Sequence, residues 1–187
     1  MAALRPKLVL GAVLIAAVAA ACGGRSWPAG YGDPVGDVDH GPDLASVRVS
    51  NTDADVSFAV RFASEPPLRV DEGEGWVDML LVGIDVPPLG PEPVAPGGEW
   101  RGADFALGMH DTAKTGMLVR LGGGKVADLD VVSSGSRLTF SVPRAALGDP
   151  EWFTFTVAAA RESGDEASGG GFDIAPAHGT LRYTLAR

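Results

Sequence analysis

The chain has 187 residues, with 24 carboxylates against 15 lysines and arginines, a formal charge of −9, and few aromatic residues. That balance, with no basic run, disfavours nucleic acid and anionic membrane surfaces as partners, because both are held by clustered Lys and Arg. A lone cysteine rules out an internal disulfide.

Residues 1–21 read as an export signal. Arg5 and Lys7 supply a positive start, Leu8 to Ala21 is an unbroken run of apolar residues and glycine, and Ala19-Ala20-Ala21 offers the small residues that a signal peptidase needs. The run falls short of the ~20 residues that span a bilayer as a helix. Cys22 follows directly, and the junction resembles the lipobox of bacterial lipoproteins, in which the cysteine is lipidated and becomes the mature N-terminus. Ala19 stands where leucine is commonest, so two readings stay open: a lipid anchor on Cys22, or plain cleavage and secretion. Both place the protein outside the cytoplasm. Loss of Arg5 and Lys7 leaves 13 cations against 24 carboxylates, a charge of −11. Residues 22–32 carry Gly, Pro and Ser without periodicity and read as a flexible tether ahead of one folded domain, 33–187.

That domain opens with an acidic, glycine-rich leader, DPVGDVDHGPD, from Asp33 to Asp43. Two strands follow, Leu44 to Ser50 and Val56 to Phe62, the second alternating Val56, Phe58, Val60 and Phe62 with small or polar residues. The intervening NTDAD supplies turn formers, which makes the pair a hairpin. Glu65 to Gly75 is a polar loop. Trp76 to Ile84 is nearly continuous apolar sequence, a central strand ended by Asp85. Val86 to Arg101 holds five prolines and Trp100, and proline there excludes helix and inner strand.

Asp104 to His110, Gly116 to Leu121 and Lys125 to Val132 read as three further strands, followed by Arg137 to Val142 and a helical turn from Pro143 to Gly148. Trp152 to Ala160 alternates again, Glu162 to Gly171 has almost nothing to bury, and Thr180 to Leu185 closes the chain. About nine short strands with Gly and Pro turns predict an all-β protein, an antiparallel β-sandwich of jelly-roll or immunoglobulin-like type, with a closed barrel as the competing architecture.

Familiar catalytic motifs are absent. No GxSxG occurs, Gly122-Gly123-Gly124-Lys125 lacks the rest of a phosphate loop, and His40, His110 and His178 are scattered singly. The densest chemistry is Asp33, Asp37, Asp39 and Asp43, interleaved with Gly36 and Gly41. Calcium takes six to eight oxygen ligands in irregular geometry, which such a loop can supply; the competing reading is a solvated acidic loop. Trp100 is either a stacking platform for a sugar ring or a loop anchor.

The ordered series DPVGD, DLASVRVSN, VSFAV, a central strand ending in Asp85, GADFAL, FTFTV and DIAPAHGTLRY is similar to the DOMON-like extracellular modules, including family 9 carbohydrate-binding modules and the glucodextranase C-terminal domain. The likeness runs from Asp33 to Leu185. It implies a sandwich, a structural calcium near the start of the domain in some members, and sugar or haem binding in others. On that pattern Asp173 joins Asp33 and Asp37 as a metal ligand. Two departures stand out: Asp85 is followed by Val86 and Pro87, so the carboxylate pair that members often carry there is lost, and His178 replaces an acidic residue or asparagine. The resulting expectation is an exported, non-enzymatic module at the cell envelope that binds carbohydrate, with calcium in its leader. Its alternatives are an envelope module that binds another protein, and a hydrolase built on two carboxylates.

Overall fold

The computed structural model describes residues 28–87, 103–110, 115–163 and 171–186. The expected signal segment, Cys22, most of the tether, and Trp100 with its proline-rich loop lie outside the described residues. Within them the chain forms twelve strands: β1 (Ala29–Gly32), β2 (Leu44–Asn51), β3 (Asp55–Phe62), β4 (Val70–Asp71), β5 (Trp76–Asp85), β6 (Phe105–His110), β7 (Thr115–Arg120), β8 (Gly124–Ser134), β9 (Arg137–Pro143), β10 (Trp152–Ser163), β11 (Phe172–Ala175) and β12 (Leu181–Thr184). The helical element among them is one 3₁₀ turn, Arg144–Leu147. All pairing is antiparallel, in the order β1-β2-β3-β9-β8-β7-β6-β5-β10-β11, with β12 also on β10 and β4 on β5.

The all-β antiparallel sandwich expected from the strand periodicity is the fold observed, with twelve strands rather than nine. β8 explains how one continuous sheet makes two layers. Its first half, to Asp130, pairs with β7, and Val131–Ser134 pairs with β9, so the sheet turns a corner along this one strand. Alternate residues then face inward. Phe58 on β3 stacks on Phe140 of its own layer with ring centroids 5.3 Å apart and meets Phe155 of the opposite layer edge-on at 5.5 Å. These rings are fully buried, or nearly so, with Phe153 beside them. Burying each contributes a few kcal/mol of apolar transfer.

The three unforeseen strands are short. β4 is two residues long and β11 four. β1 falls in the segment read as tether: Ala29 and Tyr31 alternate with glycines, and the strand pairs with β2 from Ala29↔Val49 to Gly32↔Ser46. Tyr31 packs edge-on against Phe155, and its hydroxyl donates to the Arg182 carbonyl on β12, joining the free edges of the two layers. The chain end is fastened similarly. Asn51 Oδ1 accepts from the Tyr183 hydroxyl and the Ala186 N–H, and its Nδ2 donates to the Ala186 carbonyl.

One end of the core is capped by charge. Asp78 is 1% exposed, its Oδ1 lies 2.7 Å from Arg161 Nε, its Oδ2 accepts from Arg161 and the Arg69 N–H, and the guanidinium lies 3.6 Å from the Trp76 ring centroid. Removing one partner leaves an uncompensated buried charge. Arg161→Ala is expected to cost about 3–5 kcal/mol in urea unfolding. The Arg161→Ala/Asp78→Ala pair should then cost clearly less than the sum of the single changes; simple additivity would mean that the ion pair is not coupled.

Candidate metal centre

The acidic leader leaves β1 at Asp33, whose N–H still bonds to the Ala45 carbonyl as an extension of the ladder. Gly36 (φ 87°) and Gly41 (φ 115°) occupy the left-handed region and fold the leader back on itself. The Gly36 N–H donates to Asp43 Oδ2 at 2.8 Å, closing the loop. The leader then presses on the start of β11. A Cβ at Gly171 would lie 1.0 Å from the His40 carbonyl oxygen, so no side chain fits at that position without moving the leader. Asp173, on β11 opposite Ala159 of β10, anchors the other end by accepting the Leu44 N–H at 2.6 Å.

This packing brings Asp33, Asp37 and Asp173 together, with one carboxylate oxygen from each inside a mutual distance of 4.8 Å. Asp33 Oδ2 and Asp43 Oδ1 are shut off from solvent and meet no N–H donor among the described residues, and a proton shared with Asp173 is the hydrogen bond open to the Asp33 carboxyl. Desolvation first, and then the charges of Asp173, Asp37 and Asp43, push the Asp33 carboxyl up to about 6. Asp173 is also raised, chiefly by burial, against the lowering effect of the Leu44 N–H. Asp39 is exposed and stands outside the three-carboxylate group. Thus Asp33, Asp37 and Asp173 are brought together with Asp43 beside them, whereas Asp39 is not. Opposed oxygens on a calcium ion at ~2.4 Å each are ~4.8 Å apart, so the group has the right size and an all-oxygen donor set for a hard cation.

A second acidic pair was not foreseen. Asp85 ends β5, and Asp104 precedes β6, which pairs with β5 from Ile84↔Phe105 onward, so antiparallel register puts the two aspartates opposite each other. Asp104 Oδ2 accepts the Val86 N–H at 2.8 Å. Burial raises the Asp85 carboxyl, and Asp104 raises it further. The signal was the register itself: the pair missing from the positions just after Asp85 is made from the far side of the proline-rich loop. Asp85 and Asp104 sit within hydrogen-bond reach of one another, and Asp33 and Asp173 lie closer than the ~5–9.5 Å separations of glycosidase carboxylates, so neither pair has that geometry.

Possible ligand surfaces lie elsewhere. The outer face of β5–β8 holds a groove of about 400 Å³ lined by Met79, Leu81, Gly108, Thr115, Met117 and Asp128. Trp76 and Trp152 each carry a guanidinium over the ring, Arg161 at 3.6 Å and Arg182 at 4.0 Å, so one stacking face of each is taken. Comparison with protein-family models and with curated proteins returns no match.

The raised carboxyl sets the sign of a pH effect. Asp33 binds its proton more tightly folded than unfolded, so its contribution to stability is full below about pH 3.8 and is lost as pH rises through about 6. In EDTA, Asp33→Asn should therefore gain stability relative to the parent between pH 4 and 7, read as a growing difference in thermal midpoint. A difference that stays flat over that range would show that Asp33 is not held protonated by its neighbours.

Proposed function

We propose that this chain is an exported β-sandwich module, held at the cell envelope by a lipid on Cys22, that binds carbohydrate without catalysing a reaction and whose leader is locked by calcium. The observation that carries the calcium part is the convergence of Asp33, Asp37 and Asp173 within 4.8 Å from two distant parts of the chain. Asp33 Oδ2 and Asp43 Oδ1, buried there without an N–H donor among the described residues, support the same reading: a divalent cation beside them would remove the repulsion that raises Asp33. Calcium suits the irregular loop better than magnesium, which demands near-ideal octahedral geometry. Carbohydrate as the ligand class rests on the DOMON-like order of motifs and is consistent with the open groove over β5–β8.

A second reading, an envelope module that binds another protein, is favoured by one feature. Met117 lines that groove, and Val126 and Val132 are exposed farther along β8.

Thermal unfolding of the full chain, first in EDTA and then in about 1 mM calcium, tests the lock. A site of ~10 µM affinity adds about 2.7 kcal/mol at that concentration, a midpoint shift of roughly 5–10 °C for this size. Asp37→Ala is expected to abolish the shift, since Asp37 is exposed and its loss costs the apo fold little. A shift that survives Asp37→Ala places the cation elsewhere. Screening the same chain on a glycan array decides between the ligand classes.

A further inference from the structure

The outward face of β1, β2, β3 and β9 carries a cluster of charge opposite in sign to that of the chain as a whole. Arg48, Arg61 and Arg137 are all exposed there. Arg61 on β3 is in register with Arg137 on β9 and with Ser46 on β2, and Arg48 is in register with Ala59, one alternate position along. Directly opposed residues have Cβ atoms ~4.5–5.5 Å apart and diagonal ones ~7–8 Å, so the three guanidinium groups share one surface. None of them forms an ion pair among the described residues, whereas Lys125, Arg144 and Arg161 each do. Like charges directly opposed across strands are destabilising, and nothing in the described sheet relieves the Arg61–Arg137 pair.

The rest of the face is hydroxyl, methyl and glycine. Ser46, Ser50, Ser57, Thr139 and Ser141 point outward with the arginines, and Ser57 and Ser141 are hydrogen-bonded to each other at 2.8 Å. Carboxylates stand at the end away from the arginines: Asp55 lies at the far end of β3, opposite Pro143, and Asp128 and Asp130 of β8 line one depression with Thr139, Ser141 and Pro143. Glu65 sits at the near margin, beside the Gly135 turn.

We propose that this face binds an anionic polysaccharide, whose carboxylate, sulfate or phosphate groups engage Arg48, Arg61 and Arg137 while its hydroxyls meet the serines and Thr139. The inference rests on the carbohydrate reading above and narrows it to an acidic glycan on a surface centred on β2, β3 and β9 rather than on the β5–β8 groove. A polymer fits better than an anionic bilayer. A bilayer is an extended plane that would also bear on the acidic leader, which starts at the rim of this face at Asp33, and on a domain of charge −12, with 12 cations against 24 carboxylates over 33–187. A polymer occupies only the strip between them. Guanidinium groups suit such anions because their paired N–H donors match the oxygen spacing.

The test measures binding of the full chain, in EDTA to prevent metal bridging through the leader, to immobilised dextran sulfate, hyaluronate and uncharged dextran. Binding to both polyanions and not to dextran is expected, weakening about tenfold or more between about 50 and about 200 mM salt. The triple change Arg48→Ser, Arg61→Ser and Arg137→Ser should reduce it at least about tenfold. Arg137→Glu alone should weaken it in the same direction, with unchanged thermal midpoints showing that the fold is intact. Equal binding by parent and triple variant, or preference for phosphatidylglycerol vesicles over the polymers, overturns the proposal. If uncharged glycans bind and the triple variant binds them equally, the carbohydrate reading stands while this inference fails; if no glycan of any charge binds, both fail.

Discussion

The close approach of the leader to β11 is the constraint around which one end of this sandwich is arranged. At Gly171 the His40 carbonyl occupies the space of a side chain, and at Leu44 the first N–H of β2 is taken by Asp173. Contacts between residues about 130 positions apart thereby fix where the leader lies. The same packing forces Asp33 and Asp173 together in partial burial, and mutual repulsion is what raises the first of them beyond the effect of desolvation. Backbone packing and carboxylate repulsion therefore oppose each other at one point. A proton on Asp33, or a bound cation of the kind proposed above, would relieve the conflict.

Much of the fold was legible because strand periodicity survives in a sandwich whose inner faces are aromatic. Val56, Phe58, Val60 and Phe62 alternate cleanly, as do Phe153, Phe155 and Val157, and both runs are strands with those residues buried. What failed to register were strands too short to show a period. β1 has only Ala29 and Tyr31 to signal an inner face, and its glycines look like linker until the partner strand is known. The site divides the same way. Asp33 and Asp37 were visible as a local acidic motif, and Asp173 followed from resemblance, but Asp39 belongs to the same motif and points elsewhere, since spacing along a glycine-rich loop does not determine side-chain direction.

Asp85 and Asp104 make the complementary point. They are separated in sequence by a long proline-rich loop, so no motif contains both, yet the β5–β6 register places them opposite each other. The surface cations behave alike. Arg48, Arg61 and Arg137 are isolated in sequence, and a search for basic runs passes over them, but three adjacent strands align them on one face. Linear charge patterning works for helices and tails, where neighbours in sequence are neighbours in space. In an antiparallel sheet the neighbours come from other strands, so an acidic chain without a basic run can still present a basic face.

This segregation of charge bears on how such a module would sit at an envelope. Asp33, Asp37 and Asp173 gather at one end of the sandwich, while Arg48, Arg61 and Arg137, without an ion pair among the described residues, lie on the outer surface of β2, β3 and β9. Sodium chloride at physiological strength screens charges over about 8 Å, so two patches on different faces act as separate sites rather than cancelling. A net-acidic surface repels anionic planes, and the local reversal on β2, β3 and β9 is where the proposed acidic glycan would be met. The β2–β3–β9 pairing holds these arginines in register, and β1, joined to the opposite layer through Tyr31 and Arg182, fixes the edge of the same face where a flexible tether would leave it loose.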